Sequence, residues 1–129
     1  MIETEINDKT FKTPSTLKKM SEQWVTKDIK MVDAFYGLDV NGKILATALA
    51  LETRKPVLNN SFIQRMKKIS KSLNILVIAS NIDTNEIITE TKNLREKGFA
   101  VDKLLTTKQI DDKTEDQLRL FGIRCISLF

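Results

Sequence analysis

The chemistry open to this chain is defined first by what it lacks. There is no histidine, so no Ser-His-Asp or Cys-His relay can be assembled and no imidazole can ligate a metal. The single cysteine, Cys125, stands in IRCISLF, where a small buried hydrophobe is the expected role. A lone thiol also builds neither an internal disulfide nor a zinc site. That leaves carboxylates, lysines, arginines, hydroxyls and a metal held by oxygen. Within this set Asp33 and the run Glu52-Thr53-Arg54-Lys55 stand out, because each lies beside a long apolar stretch. Glu52 closes ALALE, and charged groups at the end of such a run either mark an exit into water or form a site.

The elements around them decide between these. KMVDAFYGLDV and KILATALALET are separated by Asn41-Gly42, a pair that accepts positive φ and signals a hairpin between apolar runs. With a two-residue turn, Val40 faces Lys43, Asp33 faces Ala50 and Met31 faces Glu52. Asp33 and Glu52 are then diagonal neighbours on one sheet face, with Cα atoms roughly 7–8 Å apart. Both faces of this hairpin are largely apolar, so it is expected to be covered on both sides. Two carboxylates converging there repel and lose hydration unless a cation joins them. Mg²⁺ or another hard divalent ion is the natural third party. In the alternative, the strands emerge into solvent at this point and Glu52–Arg54 is a weak surface pair.

Charge is unevenly spread. The net charge is +4, yet residues 53–82 contain no Asp or Glu while carrying Arg54, Lys55, Arg65, Lys67, Lys68 and Lys71. Such a local basic surface suits a phosphate backbone or an acidic partner, and is equally the pattern of a solvated helix face.

Further along, Thr13-Pro14 marks a helix start, with Leu17, Met20 and Trp24 on one face. A second helix is expected over about 61–73 with Phe62, Met66, Ile69 and Leu73 inward. NILVIAS is a strand covered on both faces. Asp83 and Glu86 form a capping box for a third helix that Gly98 closes. FAVDKLL is a short strand or connection, a fourth helix ends at Gly122, and IRCISLF is the last strand. The expected fold is α/β: a mixed central sheet with an antiparallel hairpin (about 29–40 and 43–53), then parallel α/β units, with helices on both faces. At 129 residues, with no repeat and no Pro/Gly-rich linker, the chain reads as one domain spanning 1–129. No apolar run approaches the roughly 20 residues that cross a bilayer. MIETEINDKTFK is not a signal peptide, so a cytoplasmic location follows as the default expectation.

An Asp on one hairpin strand, Glu-x-basic on the next, a basic helix, NILVIAS, a helix and FGIRCISLF together resemble the PD-(D/E)xK restriction-endonuclease-like superfamily. The likeness is to its compact nucleases and Holliday-junction resolvases, and it covers most of the chain. It implies a Mg²⁺- or Mn²⁺-dependent endonuclease acting on DNA, with Asp33 and Glu52 as metal-binding carboxylates and the Thr53 carbonyl as a further ligand. Arg54 stands where the motif has lysine. Glu22 and Gln64 correspond to accessory residues of some branches, and Lys55, Arg65, Lys67, Lys68 and Lys71 would hold the nucleic acid. A homodimer or a protein complex is the implied assembly. The sequence departs from the pattern at Val32, where a proline is expected, and at Arg54, which cannot transfer a proton near neutral pH. The other reading is therefore an inactive nuclease-fold subunit that binds nucleic acid or a protein. A nucleotide binder using VIASNIDTNE ranks last, because that stretch has no glycine-rich phosphate loop.

Overall fold

The computed structural model describes residues 12–65, 72–81 and 83–127. The elements run α1 (Pro14–Trp24), α2 (Lys27–Lys30), β1 (Ala34–Gly37), α3 (Val40–Thr53), β2 (Val57–Leu58), α4 (Asn60–Arg65), β3 (Asn74–Ala79), α5 (Thr84–Glu96), β4 (Ala100–Thr106), α6 (Asp112–Leu120) and β5 (Arg124–Ser127). Among the described residues the sheet has five strands in the order β2-β1-β3-β4-β5. Every pairing in it is parallel.

The expected antiparallel hairpin does not exist, and with it goes the mixed sheet. Asn41-Gly42 is the first turn of α3, not a two-residue turn. Asp39 sits extended at φ −120° and ψ 179°, and its side chain accepts from the Gly42 N–H, as an N-cap does. The run that follows, KILATALALET, is rich in Ala and Leu, the strongest helix formers, and alanine is poorly suited to strands. Leu45, Ala46 and Leu49 of α3 are fully buried, whereas Leu51 is 77% exposed, so the helix buries one stripe only. Full burial of a leucine side chain stabilises by about 1.5–3 kcal/mol.

Strand alternation divides the core between the two sheet faces. Phe35, Leu76, Ile78 and Leu105 pack with Leu45, Ala46 and Leu49 of α3 and Ile29 of α2, and Leu17 and Trp24 of α1 are partly buried against them. On the other face Ala34, Tyr36, Ile75, Val77 and Leu104 pack with Ile63 of α4, Ile87 and Leu94 of α5 and Leu118 of α6. The run NILVIAS is β3, at the centre of the sheet and buried from Ile75 to Ala79, as a strand covered on both faces requires. Phe62, expected inward, is 48% exposed, and Ile63 takes the buried position. Met66 and Ile69, also expected inward, lie outside the described residues.

Among the described residues no helix is long and apolar enough to cross a membrane.

Candidate functional site

Each helix that follows β1, β3 or β4 starts at the edge of the sheet where those strands end. The strand order reverses between β1 and β3. In open parallel sheets this is where ligands bind, beyond the carboxyl ends of the strands.

The sequence builds this edge from tight backbone packing. A Cβ on Gly37, the last residue of β1, would lie 2.5 Å from the Lys43 backbone. A Cβ on Gly42 would lie 2.5 Å from the Ile78 carbonyl oxygen and 2.8 Å from Asp39 Oδ1. Only glycine lets the first turn of α3 lie directly on the end of β3. Asp39 then joins the two loops. Its Oδ1 accepts from Gly42 N–H at 2.6 Å, and its Oδ2 from Ser80 N–H at 2.9 Å and Asn81 N–H at 2.7 Å. Next to this clasp the Thr107 hydroxyl donates to Ser80 Oγ at 3.1 Å, and both residues are buried. Lys108 Nζ reaches Asn81 Oδ1 at 3.4 Å. The Thr106 hydroxyl, at the end of β4, is buried and has no hydrogen-bond partner.

Two further aspartates border the edge. Asp83 Oδ1 accepts from Glu86 N–H at 3.2 Å at the start of α5. Asp111 Oδ1 accepts from Thr114 N–H at 2.7 Å at the start of α6, and hydrogen bonding from Thr114 holds its carboxyl below the usual range. The edge thus offers hydroxyls, an amide and an ammonium, while its capping carboxylates are tied to backbone N–H groups. With no histidine in the chain, the Ser80–Thr107 hydroxyl pair has no imidazole base. This arrangement suits recognition by hydrogen bond and charge better than proton transfer.

The residues singled out from sequence lie elsewhere. Asp33 precedes β1, at the opposite, N-terminal edge of the sheet. Its Oδ2 accepts from Asn74 N–H at 2.8 Å, and its own N–H donates to the Asn74 carbonyl at 2.8 Å. Glu52, in the last turn of α3, faces Lys18 at 3.3 Å, and Lys18 also pairs with the exposed Glu22 at 3.0 Å. The Thr53 hydroxyl donates to the Leu49 carbonyl at 2.8 Å. Arg54 caps α3 in the left-handed conformation at φ 60°. The Lys55 ammonium donates to the carbonyls of Lys30 and, at 2.5 Å, of Val32, which fastens the end of α3 to the start of β1. Gln64 and Arg65 are exposed on α4, and Arg65 Nε donates to the Ser61 carbonyl at 3.2 Å. Lys67, Lys68 and Lys71 lie outside the described residues. The grouping of Asp33 with Glu52 depends on a hairpin register that does not occur, and the Thr53 carbonyl was a ligand only by the nuclease resemblance that the fold overturns. Among the described residues no three carboxylate, thiol or imidazole groups converge as metal ligands. Cys125 is half-buried on β5, and burial pushes its thiol up, with Glu115 adding to the shift.

Ser80 and Asn81 belong to VIASNIDTNE, the stretch ranked last as a nucleotide binder, and Asp39, Thr107 and Lys108 were not singled out although signals for the edge exist. Asp39, three residues before Gly42 and ahead of an Ala/Leu run, has the spacing of an N-cap. VIAS is the carboxyl end of a covered strand, the place where a parallel sheet presents its polar groups.

No family model and no curated protein sequence matches the chain. Solved structures do. Orotate phosphoribosyltransferase from Aeropyrum pernix superposes with a TM-score of 0.69 at 20% identity, over 90% of this chain and 69% of that one. Leishmania donovani UMP synthase gives 0.70 at 18%, over 92% of this chain but only 28% of the synthase. An adenine phosphoribosyltransferase gives 0.71 at 12%, over 92% of this chain and 83% of that one. The chain therefore has a phosphoribosyltransferase-type α/β fold. This corrects the restriction-endonuclease-like resemblance, and the all-parallel sheet and phosphoribosyltransferase neighbours leave the DNA endonuclease reading and its inactive nuclease-fold variant without a basis.

Proposed function

We propose that this chain is a phosphoribosyltransferase-like protein of nucleotide metabolism that binds a ribose-phosphate-bearing ligand across the carboxyl ends of β1, β3 and β4. One observation carries the reading: the reversal of strand order between β1 and β3 coincides with the polar strip of Asp39, Ser80, Asn81, Thr107 and Lys108. Lys108 supplies positive charge for a phosphate, and Ser80, Thr107 and Asn81 supply donors and acceptors for sugar hydroxyls or a base. Mg²⁺ is compatible with this, arriving on the ligand's phosphate, since it is commonly held by substrate phosphates with few protein carboxylates.

Two functional readings differ in whether transfer occurs. Calorimetric titration with ribose 5-phosphate and nucleoside monophosphates tests binding, and incubation with a base and an activated phosphoribosyl donor tests transfer. Saturable binding that weakens about tenfold in Lys108→Ala, equivalent to roughly 1.4 kcal/mol, is the expected result. Absence of binding at millimolar ligand, or binding indifferent to Lys108, removes the reading.

A further inference from the structure

The helices flanking the sheet differ in what they turn to water. α5 exposes Glu86, Lys92 and Glu96, and α6 exposes Lys113, Asp116 and Arg119, as a helix with one buried stripe does. α3 breaks that pattern. From Ile44 to Leu51 it carries no charged residue, and Val40, Ile44, Thr47 and Leu51 share one outward face at helical spacing. Val40 is 73% exposed and Leu51 77%, while Leu45, Ala46 and Leu49 fill the core behind them. A helix that is apolar all round is expected to be buried all round. Here α1 covers only one flank. The groove of about 540 Å³ between α1 and α3, with Leu17, Ile44, Ala48 and Leu51 among its walls, continues the stripe. Its one polar side chain can be buried at little cost, because the Thr47 hydroxyl already donates to the Lys43 carbonyl at 2.9 Å.

We infer that the outer face of α3 is an interface between two copies of this chain, packed antiparallel about a two-fold axis. The stripe steps by four, three and four residues, so it reads the same in both directions. With the axis midway between Ile44 and Thr47, Val40 of one copy meets Leu51 of the other, and Ile44 meets Thr47. Residue i on j and j on i is the self-complementary pattern of an isologous contact. The other large exposed apolar side chains, Met31, Val57, Phe62 and Leu120, lie at α2, β2, α4 and α6, one at each. They form no second stripe for a head-to-tail contact, so the copies close into a pair. A strip of helix from Val40 to Leu51 is about 17 Å long and about 10–12 Å wide, roughly 200 Å². That is well short of the roughly 800 Å² per partner of a standard interface, so a weak, exchanging dimer is expected.

The inference does not use the proposed ligand, and its test runs on the full chain alone. Sedimentation equilibrium from micromolar to millimolar concentration would be measured for wild type, Leu51→Lys and Val40→Glu. Both positions are exposed, and each new charge has the sign its end of the helix favours, so neither change should lower the melting temperature. Wild type should dimerise reversibly. Each variant alone should associate at least tenfold more weakly, since a charge is then pressed against an apolar side chain. An equimolar mixture of the two variants should recover a heterodimer at least tenfold tighter than either alone. It restores one native Val40–Leu51 contact and sets the introduced glutamate against the introduced lysine. A wild type that stays monomeric at millimolar concentration overturns the inference and leaves the stripe to another occupant. A dimer that neither substitution weakens overturns it too, because its interface lies elsewhere. Loss in both variants with no recovery in the mixture rules out the antiparallel pairing and overturns it as well.

Discussion

The two edges of the sheet use their charged residues for opposite ends. At the N-terminal edge, Asp33, Glu52, Arg54 and Lys55 lie near chain termini of β1 and α3 and are engaged locally. Asp33 bonds the Asn74 backbone, Glu52 faces an exposed lysine, and Lys55 fastens two carbonyls. At the C-terminal edge Asp83 and Asp111 cap their own helices, while Asp39 ties two loops together across the point where strand order reverses. Clustering in sequence marks the first edge and convergence in space marks the second. Convergence is the better guide to a site, because binding needs groups from several elements aimed at one place.

Substitutions can break that contrast. The largest effect is expected from Gly42→Val at the C-terminal edge. The β-branched side chain would meet the Ile78 carbonyl and Asp39, neither of which can move without shifting β3 or the clasp. Overpacking of this kind costs about 1–3 kcal/mol and sometimes more, read as a lower denaturant midpoint by the fluorescence of Trp24, the chain's one tryptophan. Asp39→Ala should follow at about 2 kcal/mol, combining a lost N-cap with N–H groups left without their acceptor.

Arg54 should give the opposite sign. Among the described residues it is the only non-glycine with positive φ, at 60°, and a left-handed residue with a Cβ is strained by roughly 1–2 kcal/mol. Arg54→Gly should therefore raise stability by a fraction of that, since glycine also makes the unfolded chain more flexible. The residue that stands where the nuclease motif has lysine is then a strained helix cap. At the same edge, Glu52→Gln should leave the melting temperature and any ligand affinity unchanged, as expected for an exposed pair.

Between the edges, Tyr36 provides a pH test. Burial, reinforced by Glu90 whose Oε2 accepts from the Tyr36 hydroxyl at 3.0 Å, raises its pKa far above the ordinary value of 10. A raised folded-state pKa gives stability that is complete below the unfolded value and is lost as pH climbs above it. Stability should thus begin to fall above about pH 10, and Tyr36→Phe should remove that contribution. Since Tyr36 is the chain's one tyrosine, phenolate absorbance reports its ionisation directly.

Much of the helical and strand punctuation was legible in the sequence. Thr13-Pro14, the Asp83 cap, Gly98 and Gly122 all stand at helix boundaries in the structure, and both glycines take positive φ. The failure at residues 38–53 has a specific cause. Asn-Gly is a strong hairpin signal only when both flanking runs favour strands, and ATALALE does not. Asp39 and Gly42 also satisfy an N-cap, a local alternative that tertiary packing on β3 then selects. Reading α3 as a strand makes the sheet antiparallel there and gathers the carboxylates at its far end into a site. The true convergence of Asp39 with Ser80 and Asn81 joins residues about forty positions apart. No short-range spacing could disclose it, although the rule for parallel sheets would have pointed to the carboxyl end of NILVIAS.

The most direct measurement is amide chemical-shift mapping of the wild-type protein as ribose 5-phosphate is added. Saturable shifts concentrated in residues 38–43, 80–86 and 106–112 are the expected result. Shifts gathered instead around Asp33, Glu52 and Lys55 at the N-terminal edge would contradict the assignment of the site.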